Sequence, residues 1–96
     1  MGGNDEIVVL RNAEYDVYNC GELSSELASL SAHAPAIDLQ NVRYVDSTCL
    51  TELVRTHKRV QREGAKRLRL INVSANIRQI LSITGLDKLF ELGDGE

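Results

Sequence analysis

The residues best placed to do chemistry in this 96-residue chain are Asp46, Ser47 and Thr48. They are a carboxylate and two hydroxyls set between an apolar strand end at Val45 and a helical apolar pattern beginning at Leu50. Hydroxyls in that setting stand at a helix N-terminus, where unpaired N–H groups and the positive end of the macrodipole favour an anion. A phosphate on Ser47 would therefore be tolerated by the helix itself. It would also set about two negative charges beside Asp46, enough to repel an acidic partner or one shaped to a neutral hydroxyl. From local sequence alone the same three residues read more readily as an ordinary helix cap, because Asp, Ser and Thr are all favoured there. Local sequence leaves both readings open.

Other reactive residue types form no constellation. Cys20 and Cys49 are widely separated, outside any Cys-x-x-Cys pair and without a histidine at ligand spacing. Neither a zinc site nor a disulfide framework is expected, and both thiols are read as reduced. Cys49 is read as a small helix residue and not a reactive thiol; its place near a helix N-terminus, which can lower a thiol pKa, leaves redox sensitivity open. His33 and His57 fall mid-element, away from any nucleophile, and no Gly-rich phosphate loop is present. No catalytic set can be assembled, and no metal or cofactor is expected. The chain reads as a binding protein and not as an enzyme.

Eleven basic and fourteen acidic residues give a net charge of −3. That balance argues against a direct nucleic-acid partner. Arg55, Lys58, Arg59, Arg62, Lys66, Arg67 and Arg69 crowd into one stretch, but no aromatic residue lies among them to stack a base, and their spacing fits a solvated helix face running into a strand. No run approaches the roughly 18 consecutive apolar residues of a membrane span, so no membrane insertion is expected. The start, Met1 to Glu6, lacks the basic and apolar character of a secretory signal, and a cytoplasmic location follows as an expectation.

The elements that must position these residues alternate along the chain. Ile7-Val8-Val9-Leu10 predicts a strand over about residues 6–12. Asn19 and Glu22 have capping-box spacing ahead of Leu23, Leu27, Leu30 and Ala34, a helix that should end before Pro35. Ala36 to Leu39 forms the second strand. Leu50, Leu53, Val54, His57 and Val60 mark a helix over 48–62 stopped at Gly64, and Leu68 to Val73 a third strand. Ser74 caps a third helix that Gly85 ends, and Leu86 to Leu92 closes the domain. Strand–helix alternation of this kind specifies an α/β fold with a largely parallel sheet and helices mainly on one face. One domain over 6–92 is expected, flanked by a tail at 1–5 and an acidic tail at 93–96.

Ile37-Asp38-Leu39, then Val42, Tyr44, Val45 and Asp46-Ser47-Thr48, then Ile77 through Phe90 with its Thr84-Gly85-Leu86-Asp87-Lys88 block, resemble the STAS domain of bacterial anti-sigma-factor antagonists. Ala13 to Tyr18 resembles the family's Gly-Glu-Leu-Asp segment, so the similarity extends over about residues 7–92. The resemblance implies a small mixed, largely parallel sheet with helices on one side, and a protein-binding role. It implies that a kinase-type anti-sigma factor binds the unphosphorylated chain and phosphorylates Ser47, and that a phosphatase reverses this. On the same ground Asp16 and Asp46 would lie on the contact surface, with Thr48 as a secondary hydroxyl. An alternative that the resemblance also implies is an accessory subunit of a membrane lipid-transport ABC system; homodimerisation is left open. Cys49 stands where the family usually has Gly, and Ala13 replaces a usual glycine. A side chain at position 49 could stand in the way of a kinase approaching the helix turn.

Overall fold

The computed structural model describes residues 6–30, 35–64 and 67–93. Four short strands make the main sheet: β1 (Glu6–Val9), β3 (Pro35–Asp38), β5 (Arg69–Ile71) and β6 (Glu91–Leu92). They lie side by side in that order, and every pairing is parallel. Between them run β2 (Glu14–Tyr15), α1 (Cys20–Leu27), β4 (Tyr44–Val45), α2 (Ser47–Arg62) and α3 (Ala75–Thr84). Because each strand of the main sheet is laid beside the previous one in the same direction, right-handed crossovers put the three helices on one face. The expected α/β class and largely parallel sheet are thus observed.

Alternation along β1 shows the two faces. Val8 packs against the core beside Ile37, its register neighbour, whereas Ile7 and Val9 point the other way and are 51% and 42% exposed. Under the helices, Leu10, Ile37 and Leu70 meet Leu23 and Leu27 of α1, Leu53 and Val60 of α2, and Ile77 and Leu81 of α3 in one buried cluster.

Several boundaries differ from the sequence expectation. α1 ends at Leu27, well before Pro35. Arg59 of α2 covers that end, its guanidinium donating to the Leu27 carbonyl at 3.1 Å and to that of Leu30, beyond the helix, at 2.9 Å. His33 and Ala34 lie outside the described residues, as do Lys66 and the expected tail at 1–5. Of the tail expected at 93–96 Gly93 is described, its N–H donating to the Leu70 carbonyl at 2.9 Å. α3 follows its signals closely: Ser74 Oγ accepts from the Ile77 N–H at 3.2 Å, and Gly85 takes the left-handed conformation (φ 78°) that ends the helix. The closing segment contains a 3-10 turn (Leu86–Lys88) and then β6, paired with β5 through Arg69↔Glu91 and Leu70↔Leu92.

A second, two-stranded sheet, β2 with β4, is absent from the sequence expectation. Two-residue strands carry no periodicity to read. This small ladder builds the site.

Candidate functional site

β2 and β4 are parallel and pair Glu14 with Tyr44 and Tyr15 with Val45. The next residue on each strand is therefore Asp16 on one and Asp46 on the other, and the ladder continues with the Asp46 N–H donating to the Tyr15 carbonyl at 3.0 Å. Asp16 is thereby brought to the same end of the domain as Asp46 and Ser47, thirty positions further along the sequence.

Tyr15 anchors this end. It is fully buried, and its hydroxyl accepts from the N–H groups of Arg11 (3.1 Å) and Asn12 (3.2 Å) while donating to the Glu26 carboxylate on α1 at 3.2 Å. Burial pushes the phenol pKa up and the Glu26 charge adds to it, so the ring keeps its proton and its donor role.

After Asp16 the chain turns. The Asp16 carboxylate accepts from the Tyr18 N–H at 2.9 Å, and Asn19 Oδ1 accepts from the Asp16 N–H at 2.7 Å. Asn19 Nδ2 donates to the Glu14 carbonyl at 2.9 Å. The capping box expected of Asn19 and Glu22 therefore does not form: Asn19 is engaged behind the helix, and Glu22 accepts instead from Asn12 Nδ2 at 2.9 Å. Val17 and Tyr18 at the turn are 62% and 94% exposed.

At α2 the cap is Asp46. Its carboxylate accepts from the Cys49 N–H and its carbonyl from the Leu50 N–H, both at 3.0 Å. Ser47 and Thr48 follow as the first two helical residues, both exposed, and among the described residues their N–H groups have no acceptor. A shallow groove of about 280 Å³ runs from Ser47 past Leu50, Thr51 and Val54 to Thr84 and Leu86. Ile83, on the neighbouring helix α3, is 77% exposed. All four residues expected on a contact surface, Asp16, Asp46, Ser47 and Thr48, lie at or near the surface of this one end.

The cysteines correct the expectation of reduced thiols. Cys20 and Cys49 form a disulfide, and no free cysteine remains. The physical reason is the β2/β4 ladder, which delivers the first turns of α1 and α2 side by side with the two Cα atoms 5.5 Å apart, within the range a disulfide spans. Cys49 Sγ also lies 3.4 Å from the Asp16 carbonyl oxygen. Because Cys49 is fully buried and turned toward Cys20, its side chain does not stand between a visiting enzyme and Ser47. The Asp46 carboxylate and the two sulfurs come within 4.8 Å of one another, but sulfurs joined to each other are not thiolates and offer no metal ligand in this state.

His57 is buried on α2, its Nδ1 accepting from the Leu68 N–H at 3.3 Å and its ring edge-on to Phe90. Burial lowers its pKa, with the positive charge of Arg67 as a second cause. It packs the core and is remote in role from Ser47. The basic run is dispersed in use: Arg55 pairs with Glu52, Arg59 binds α1 and pairs with Glu63, and Arg69 is half-buried in β5.

Among known proteins, the family described as "Mlab, STAS domain" matches residues 4–92. An anti-sigma-B factor antagonist from Staphylococcus epidermidis is 35% identical over 85 residues, covering 85% of this chain and 78% of the relative. One from Bacillus subtilis (strain 168) is 33% identical over 90 residues, covering 92% and 82%. A crystal structure of an anti-sigma factor antagonist from Mycobacterium paratuberculosis superposes with a TM-score of 0.77 at 24% identity, over 96% of this chain and 79% of that one, which shows the shared fold. No helix among the described residues is long and apolar enough to cross a membrane.

Proposed function

We propose, for a chain that belongs to the STAS domain family, that it is an antagonist of an anti-sigma factor, switched off by phosphorylation at Ser47. One observation carries the reading: in a chain about one-third identical to proteins named anti-sigma-B factor antagonist, an exposed serine stands at the first position of α2, flanked by Asp46 and by Asp16 from the adjoining strand. The unmodified end docks on a kinase-type anti-sigma factor. The kinase then transfers the γ-phosphoryl group of ATP to Ser47 Oγ, with loss of the hydroxyl proton and release of ADP. The N–H groups of Ser47 and Thr48 and the helix macrodipole favour the phosphate, so α2 is not unfolded by it. The phosphate meets the carboxylates of Asp16 and Asp46, and the added charge expels the partner. A phosphatase restores the docking form. In this scheme the chain is substrate and ligand, performs no catalysis, and acts in the cytoplasm with transcription.

Incubation with the source organism's kinase-type anti-sigma factor and ATP, followed by mass mapping, tests the switch. One phosphate on Ser47 is expected in the wild type and none on Ser47→Ala, which still binds. Absence of phosphate from both Ser47 and Thr48 would end the proposal, and co-purification with the ATPase subunit of a transporter would replace it with the accessory-subunit reading.

A further inference from the structure

We infer that Cys20 and Cys49 form a reversible redox latch that holds the two halves of the docking end in register. The inference deepens the function proposed above and rests on it for the partner.

Position is the first argument. Cys20 lies in the first turn of α1, four residues after Asp16, and Cys49 lies two residues after Ser47. The bridge thus ties the Asp16 turn to the helix that carries Ser47.

The second argument is what else holds α1 there. Its N-terminus has no side-chain cap, because Asn19 is engaged with Asp16 and Glu14, and the bond from Asn12 to Glu22 in its first turn is solvent-exposed. The buried leucines of α1, Leu23 and Leu27, lie further along the helix. With the bridge open, the segment from Val17 to Gly21 loses its covalent tie, while the β2/β4 ladder keeps its own hydrogen bonds.

Access is the third. Cys20 is half-buried and Cys49 fully buried, so exchange with an external thiol begins at Cys20. A thiolate of a dithiol reductant attacks Cys20 Sγ, and the Cys20–Cys49 bond breaks with Cys49 leaving as thiolate. The reductant's second thiolate then attacks its own sulfur in the mixed disulfide and releases Cys20 as thiolate. Two electrons pass from reductant to protein, two protons restore the thiols, and the reductant ends as its disulfide. An oxidised dithiol reverses each step.

Compartment is the fourth. Where transcription is regulated, thiols are kept reduced, and disulfides that do form are mostly transient or sensing. A bridge at this site therefore reports redox state.

The test compares wild type oxidised with excess oxidised glutathione against wild type reduced with dithiothreitol, with Cys20→Ser as a variant fixed open. Alkylation and mass measurement should count no free thiols in the first form and two in the second. Amide hydrogen exchange over residues 16–22 should be faster in the reduced form and in Cys20→Ser by about tenfold or more, since loss of a tie favours local opening. Affinity for the source organism's kinase-type anti-sigma factor should fall by about fivefold or more on reduction, because a loosened surface must be ordered to bind. Cys20→Ser should show the weaker affinity with or without dithiothreitol, which separates the latch from any action of the reductant on the kinase. Two free thiols under oxidant, identical exchange in both forms, or equal affinities would overturn the latch. If the kinase binds neither form, the proposed function falls instead, and the exchange difference alone decides the latch.

Discussion

At the N-terminus of α3 the capping side chain is Ser74, whose hydroxyl accepts from the Ile77 N–H while its carbonyl accepts from the Arg78 N–H at 2.8 Å. At the N-terminus of α2 the same two bonds are made by Asp46, to Cys49 and Leu50. The serine is spent on the backbone in the first case and left over in the second. Ser47 sits one position inside the cap, exposed, with Thr48 beside it. The two readings that local sequence leaves open for Asp46-Ser47-Thr48 separate here: Asp46 stabilises the helix, and the hydroxyls are surplus to it. A second contrast is covalent, since the start of α2 is bonded to α1 whereas the start of α3 is tied to the β4 side by the Asn76 side chain donating to the Arg43 carbonyl.

The covalent contrast predicts the greatest loss. Replacing both cysteines by serine, or reducing the protein, should lower its unfolding free energy by about 3–4 kcal/mol, the chain-entropy value for a loop of this length. Urea unfolding of the oxidised and reduced forms measures it. A loss below about 1 kcal/mol would mean that other contacts already fix the α1 and α2 ends as firmly as the bridge does. Next comes Ser47→Asp, which on the function proposed above should weaken binding to a kinase-type anti-sigma factor by at least about tenfold, or roughly 1.4 kcal/mol, through charge at the start of α2. Ser74→Asp adds the same charge at the start of α3 and should leave affinity within about twofold, which a titration of both variants would check.

Much of this contrast is legible in the sequence. The strands around Val8, Ile37 and Leu70, the helix from Leu50 to Val60, and the Ser74 and Gly85 boundaries all follow from apolar period and cap chemistry, which act locally. That Asp46, Ser47 and Thr48 stand at the start of a helix was legible for the same reason. The β2/β4 ladder was not, because two-residue strands such as Glu14–Tyr15 have no period to detect and are defined by a partner thirty positions away. The bridge was lost with it, since Cys20 and Cys49 look unrelated until Tyr15 is set beside Val45. Asn19 misled for a related reason: its side chain had local partners on both sides, and tertiary pairing of Glu14 and Tyr15 decided in favour of the turn behind it.

Removing the caps provides a finer comparison. Asp46→Ala and Ser74→Ala should each cost about 1 kcal/mol, because each leaves a first-turn N–H without its acceptor. Ser47→Ala should cost less than about 0.5 kcal/mol, as an exposed residue that caps nothing. Thermal or urea unfolding of the three variants gives the ranking. Should Ser47→Ala prove as damaging as Asp46→Ala, the hydroxyl would be structural after all, and the distinction between the two helix starts would vanish.

The smallest expected effect isolates α2 from α3 by pH. His57 lies on α2 and accepts from the Leu68 N–H, and burial, helped by the Arg67 charge, lowers its pKa below the ordinary 6.5. The unfolded chain therefore binds more protons than the folded chain between the lowered value and 6.5, and stability must fall with pH across that window. The contribution is complete above 6.5, is lost as pH drops through the folded value, and changes no further below it. Urea midpoints measured between pH 7.5 and 5.5 should decline more steeply for wild type than for His57→Gln, which keeps an acceptor for Leu68 but carries no titrating ring. His33 is common to both proteins, so the difference between them reports His57 alone. Hydrogen exchange at the acid end should accelerate in the second half of α2 before it does in α3, whose cap of Ser74 and Gly85 contains nothing that titrates. Equal slopes for the two proteins would show that folding does not lower the His57 pKa, and that the α2 core face yields to pH no sooner than α3.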